Sequence, residues 1–260
     1  TACLARSSAL PYNRSTSAGK GARTVEQWDS LCPGGLRFCW DERAHKPSTD
    51  SFLLGSFPPL RPGLRICDLG SGTGLLGLLL LQRQRELHVT GVEIQPHAAA
   101  LSDMAAAENG LGDRLRTLRG DLRQIREHLP AGSFDLCVSN PPYFGDGSGA
   151  APPIPARRTA RSETDCTLLD LCRAAAYLLR WGGAFCLVHR PERLCDIICA
   201  LRETGLEPKR ARMVESRPGA APSLLLLEAR RGGKPGLSVG PPLCLTDASG
   251  GPSAEYAAAY

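Results

Sequence analysis

From about residue 64 onward, two kinds of segment alternate along the chain: short, nearly continuous apolar runs, and longer stretches in which apolar positions recur with helical spacing. Residues 64–68 (L-R-I-C-D) predict a strand, 73–83 a helix and 88–93 (H-V-T-G-V-E) a second strand. Pro96 suits the first turn of a helix running to about Asn109, where its missing N–H is not needed. A strand at 114–119, a short helix at 122–129 and a strand at 134–139 (F-D-L-C-V-S) follow. A helix at 167–180, a strand at 184–189, a helix at 191–204 and two closing strands near 207–214 and 223–230 complete the order. Strands separated by helices pair in parallel, because a parallel neighbour needs a long crossover connection. The pattern therefore predicts an α/β fold with a doubly wound, mostly parallel seven-stranded sheet. The last two strands, with no helix between them, predict an antiparallel C-terminal hairpin.

Outside this regular part the pattern changes. Residues 1–33 mix Ser, Gly, Pro, Ala and Arg without a period and cannot bury enough apolar surface to offset their ordering entropy, so a flexible lead is expected, with one domain over 34–260. The run L-R-F-C-W at 36–40 predicts a short strand or hairpin arm, and 46–62 a capped helical turn followed by a Pro-rich connection. Residues 145–160 form a long Gly/Pro/Ala-rich loop, a kind that is usually functional or disordered. Residues 231–250 are similar, and the terminal S-A-E-Y-A-A-A-Y could form a short helix.

Composition narrows the class. With 260 residues and 42% apolar content the chain can build one sizeable core. Its net charge of +5, carried largely by arginine, leans toward a phosphate-bearing partner. Eleven cysteines look like a disulfide or metal framework, but no C-x-x-C pair occurs, and Cys67, Cys137 and Cys186 sit inside apolar strand runs as small hydrophobes. That usage fits a reducing cytoplasm, and no metal site is expected even at Cys195 and Cys199, which lack a nearby His or Cys pair. The longest strongly apolar stretch, Leu75 to Leu81, is far short of the roughly 20 residues a membrane helix needs. No secretory signal pattern opens the chain, so a cytoplasmic location is expected.

The candidate chemistry collects at the carboxyl ends of the predicted strands, where open α/β sheets bind ligands. D-L-G-S-G-T-G, from Asp68 to Gly74, ends one strand and opens a helix; Gly70, Gly72 and Gly74 allow a tight turn and a close backbone approach to a nucleoside, with Ser71 between them. Glu93, ending the next strand, can accept hydrogen bonds from ribose hydroxyls, and Asp121 after the third can accept the amino hydrogens of an adenine. These features alone do not separate S-adenosylmethionine from a nicotinamide dinucleotide.

S-N-P-P-Y-F, from Ser139 to Phe144, separates them. Pro141 and Pro142 stiffen the chain and keep it out of a helix, leaving outward-facing acceptors. The side-chain oxygen of Asn140 and the carbonyl of Pro141 can accept both hydrogens of a planar NH2 group while Tyr143 stacks on its ring.

The order D-L-G-S-G-T-G, acidic strand end, N-P-P-Y resembles the class I amino-methyltransferases, Rossmann-like enzymes that modify adenine N6, guanine N2 or a glutamine amide. More narrowly, the chain is similar to the bacterial methyltransferases acting on adenine-37 N6 of valine tRNA. The matching segments are T-D-S-F-L-L-G (49–55), L-G-S-G-T-G-L-L (69–76), V-S-N-P-P-Y-F (138–144), R-R-T-A-R-S-E (157–163) and S-A-E-Y (253–256). The resemblance implies S-adenosylmethionine as cofactor, held by Asp50, Gly70, Glu93 and Asp121, and Asp68, Ser71, Gly72 and Gly74 of the turn and Asn140 are candidate contacts beside them. It implies catalytic roles for Asn140, Pro141, Pro142 and Tyr143, and RNA, specifically tRNA, as partner; a monomer is expected. Arg157, Arg158 and Arg161, just past the reaction loop, could meet its phosphates. A protein-glutamine methyltransferase and a non-catalytic RNA-binding module of the same fold are the competing readings. A nicotinamide oxidoreductase would leave N-P-P-Y without a role.

Overall fold

The computed structural model of the chain describes residues 26–44, 47–142 and 166–259. Its elements in chain order are β1 (Gln27–Ser30), β2 (Arg37–Trp40), α1 (Thr49–Ser56), β3 (Arg65–Leu69), α2 (Leu75–Arg83), β4 (His88–Glu93), α3 (Pro96–Glu108) and β5 (Leu115–Arg119). Then follow β6 (Phe134–Ser139), α4 (Leu168–Leu178), β7 (Leu179–His189), α5 (Leu194–Glu203), β8 (Leu206–Glu215), β9 (Pro222–Arg231), two-residue strands β10 (Ser238–Val239) and β11 (Leu243–Cys244), and α6 (Ala254–Ala257).

The main sheet runs in the order β5-β4-β3-β6-β7-β9-β8, with β10 and β11 both added to the free side of β8. β9 lies antiparallel to both neighbours, and the other pairings are parallel. The doubly wound sheet and closing hairpin are as expected, but it has nine strands. The additional two are short segments of the Gly/Pro-rich stretch that satisfy backbone groups β8 would otherwise leave open at the edge.

Both sheet faces are buried, and this explains why the strands read as continuous apolar runs. Successive side chains point to opposite faces. Ile66, Val138, Cys186 and Leu226 join the core beneath α1, α2 and α3, while Cys67, Cys137, Phe185 and Leu227 join the core beneath α4 and α5. Helix α2 is buried on every side from Leu75 to Leu81, because α1 lies across its outer surface.

Three local expectations change. Gln27–Ser30, inside the stretch read as a lead, pairs with β2 in a hairpin, so folded structure begins before residue 33. The helix expected at 122–129 is a 3-10 segment, Leu122–Glu127, interrupted at Gln124 by non-helical backbone angles. The helix expected to reach residue 180 ends at Leu178, where the chain turns extended and β7 begins five residues early. Among the described residues no helix is long and apolar enough to cross a membrane.

A candidate methyl-transfer cleft at the carboxyl ends of the strands

The carboxyl ends of β3, β4, β5 and β6 surround a cleft of about 270 Å³. Its floor is the turn from β3 into α2. Gly70, Gly72 and Gly74 all take positive φ (73°, 54° and 76°), a conformation side chains with a Cβ rarely adopt. The amides of Gly70 and Ser71 donate to the Val92 carbonyl at 2.9 and 3.1 Å, tacking the turn to β4. The amide of Gly72 donates to Glu93 Oε2 at 2.8 Å, and that of Gln95 to Glu93 Oε1 at 2.8 Å. Each oxygen of this carboxylate keeps acceptor capacity for a ligand.

Among the described residues, two buried polar atoms in the cleft have no protein partner: Asp68 Oδ2 and Ser71 Oγ. Burial, and then the charge of Glu93, push the Asp68 carboxyl from 3.8 up to about 8, against a smaller opposing pull from the Gly77 amide. Unsatisfied buried polar atoms cost about 1–3 kcal/mol each, so a polar ligand that meets them relieves a standing penalty. With the strand-end acceptor Glu93 and the exposed apolar side chain of Ile94 on the same wall, the residues fit the nucleoside, sulfonium and amino-acid groups of S-adenosylmethionine.

The end of β6 borders the cleft beside β3. Ser139 is buried and donates its hydroxyl to the Leu69 carbonyl at 2.7 Å, which locks the end of β6 beside the end of β3. Asn140, Pro141 and Pro142 follow at once and line the same cleft as Asp68 and the glycine turn. Asn140 Nδ2 donates to Ser51 Oγ at 3.0 Å, on α1. That helix is pinned at its far end, where Arg83 donates to the Pro58 carbonyl at 3.1 Å and Arg210 to that of Phe57 at 2.8 Å.

Of the residues expected at the site, Asp68, Gly70, Ser71, Gly72, Glu93, Asp121, Asn140, Pro141 and Pro142 meet in the cleft. Asp121 does so with both carboxylate oxygens already engaged. Arg123 donates its amide to Oδ1 at 2.9 Å and its Nε to Oδ2 at 2.9 Å, holding the carboxyl below its ordinary range. Asp50 and Gly74 do not line the cleft. On α1 the lining position belongs to the next residue, Ser51, while Gly74 stands behind the turn, where an added Cβ would meet Ser102 Oγ at 2.2 Å. Tyr143, Arg157, Arg158 and Arg161 lie outside the described residues. Sequence reasoning missed Ser51, although the segment 49–55 had been singled out, and Ile94, an exposed apolar residue directly after the strand-end acid.

Residues 47–198 match the methyltransferase small domain. The chain belongs to that family. This methyltransferase is 34% identical over 219 residues to a tRNA1(Val) (adenine(37)-N6)-methyltransferase of Tolumonas auensis, covering 84% of this chain and 89% of the relative. A protein of the same description from Bacteroides fragilis is 32% identical over 187 residues, covering 72% and 78%. Among solved structures, one described as a predicted O-methyltransferase from Agrobacterium tumefaciens superposes with a TM-score of 0.68 at 22% identity, covering 81% of this methyltransferase and 94% of that chain. At that identity the likeness speaks for the fold alone.

Proposed function

We propose that this methyltransferase uses S-adenosylmethionine to methylate N6 of an adenine in tRNA. The observation that carries the reading is the shared cleft: Asn140 and Pro141 line it together with Asp68, Glu93 and the glycine turn. The curated relatives, described as adenine-N6 tRNA methyltransferases and matched over most of their length, support the choice of base and RNA.

S-adenosylmethionine, when bound, supplies a methyl group on an electrophilic sulfonium. An adenine amine is a poor nucleophile because its lone pair is delocalised into the ring. Asn140 Oδ1 and the Pro141 carbonyl would accept its two hydrogens, drawing the nitrogen toward a tetrahedral shape so that its lone pair is localised there and is no longer shared with the ring. That nitrogen would take the methyl group from the sulfonium, and the surplus proton of the methylated amine would pass to water. Positive charge grows on nitrogen during attack, so fixed carbonyl dipoles favour the transition state and positioning supplies much of the rest. Tyr143 would stack on the extruded base, and Arg157, Arg158 and Arg161 would meet RNA phosphates. In this reading one domain, extended at its start to include β1, acts as a monomer in the cytoplasm.

Incubation with tritiated S-adenosylmethionine and total bacterial tRNA, followed by digestion to nucleosides, tests the reading. Label in N6-methyladenosine is expected. Label in a guanine nucleoside would move the target to N2, and labelled glutamine in a protein fraction with none in tRNA would replace the reading altogether. Asn140→Ala should abolish turnover with a much smaller effect on cofactor affinity, measured by titration calorimetry.

A further inference from the structure

An asparagine amide has two ends of similar shape and opposite chemistry: the oxygen accepts and the nitrogen donates. Only the oxygen can receive an N–H from a target amine, so the use of Asn140 depends on what holds its other end. In this structure that partner is Ser51, whose Oγ receives the Nδ2 hydrogen at 3.0 Å. The contact joins the first turn of α1 to the end of β6 across 89 residues of sequence, and Ser51 itself lines the cleft.

Little else in α1 explains a serine there. The helix packs through Phe52, Leu53 and Leu54, which are buried, whereas Ser51 is only half-buried. The capping position is Ser48, and its side chain makes no capping hydrogen bond. Serine is also a weaker helix former than alanine, so an alanine at this position would favour α1 on propensity alone. The contacts of Arg83 and Arg210 with the carbonyls at the end of the helix fix α1, and thereby the hydroxyl, against the sheet.

We infer that Ser51 is a positioning residue for methyl transfer: by occupying the donor end of the Asn140 amide it fixes the plane of that amide and leaves Oδ1 available to the target amine. Without the hydroxyl, Nδ2 loses its protein partner, and the amide can swing or turn over to present hydrogens where the substrate also presents hydrogens. Productive alignment then becomes a minor state. The loss is expected in the rate of the bound complex, because the hydroxyl acts through the Asn140 amide.

The inference rests on Asn140 being the amine acceptor, and the experiment separates the two. Methyl transfer from tritiated S-adenosylmethionine to tRNA is measured for the full chain, for Ser51→Ala, Ser51→Thr and Asn140→Ala, together with KM for tRNA, calorimetric Kd for the cofactor and melting temperature. Ser51→Ala should lower kcat about tenfold, the scale of one lost positioning hydrogen bond. KM, Kd and melting temperature should stay near wild type. Ser51→Thr, which keeps the hydroxyl, should recover kcat to within about threefold. Wild-type kcat in Ser51→Ala, a loss that Ser51→Thr does not recover, or a change confined to KM or Kd would each overturn the role of Ser51. Full activity in Asn140→Ala would instead remove the reading of Asn140 itself, whatever the Ser51 variants do.

Discussion

Glu93 anchors the glycine turn at Gly72: its Oε2 receives the Gly72 amide hydrogen at 2.8 Å while its Oε1 receives that of Gln95 at the same distance. The carboxylate thus shapes the turn and, in the proposed function, accepts the cofactor's ribose hydroxyls. Glu93→Ala removes both contributions and should weaken S-adenosylmethionine binding by about a hundredfold or more, the scale of two lost charge-assisted hydrogen bonds. Glu93→Gln keeps one acceptor but turns an NH2 toward a backbone N–H, so a smaller loss, about tenfold, is expected. Titration calorimetry reads both; wild-type affinity in the alanine variant would remove Glu93 from the cofactor site.

Asp68, 1% exposed and beside that charge, has its carboxyl raised to about 8. A raised folded value means that the folded protein keeps a proton the unfolded chain has already given up. The stability gained from the neutral form is therefore present at low pH, is lost progressively as pH rises from about 4 to about 8, and is gone above. A cationic ligand reaching Asp68 favours the ionised form. Binding of S-adenosylmethionine near pH 7 should therefore release close to one proton, seen as a binding heat that changes with the ionisation enthalpy of the buffer. Asp68→Asn should abolish that buffer dependence. A wild-type heat independent of buffer would show that the ligand does not draw on this carboxyl.

The long elements were legible because burial on two sheet faces writes itself into the chain as apolar runs, and the glycine turn and N-P-P carry their chemistry in adjacent residues. The rest depends on contacts between distant residues. Q-W-D-S at 27–30 has no buried alternation and becomes a strand only by pairing with β2, with Arg37 over the Trp28 ring at 5.1 Å. β10 and β11 are two residues each, too short to show a period. Ser51 meets Asn140 across 89 residues, and nothing local to T-D-S-F-L-L-G distinguishes the serine from the aspartate before it.

Gly91 is another position of that kind, an unremarked glycine in the middle of β4. A Cβ there would stand 2.5 Å from Ser71 Oγ and 2.9 Å from Ser71 Cβ, so the glycine marks a close approach of the cofactor turn to the sheet. Gly91→Ala should push Ser71 into the cleft and weaken S-adenosylmethionine binding by about tenfold, with a melting temperature lower by about 2–4 °C for each kcal/mol of strain. Adding Ser71→Gly removes the opposing side chain and should recover the lost melting temperature but not the affinity that the Ser71 hydroxyl supplies. Calorimetry on the single and double variants decides; equal affinity in wild type and Gly91→Ala would show that the turn shifts without consequence.

The hairpin of β1 and β2 is joined to α3 by one buried carboxylate. Asp41, fully buried, accepts the amides of Arg43 and Ala44 on Oδ1 at 2.9 and 3.0 Å, and meets Arg43 Nη2 at 3.0 Å and His97 Nε2 at 2.8 Å on Oδ2. Burial alone would push this carboxyl up, but the hydrogen bonds from Arg43, His97 and the two amides together hold it below its ordinary value. A depressed folded value gives stability that is fully present above the ordinary carboxylate range and is lost as pH falls through the folded value. Asp41→Asn should therefore cost about 2 kcal/mol at pH 7, a figure moderated by the half-exposed Arg43 and His97. The difference from wild type should shrink as the pH is taken below the ordinary range, because the wild-type carboxyl is then neutral as well. Urea unfolding of both proteins at a series of pH values from 7 to about 3 measures it, the span over which a carboxylate titrates. A difference that stays constant over that span would show that the charge of Asp41 contributes nothing to holding the hairpin against α3.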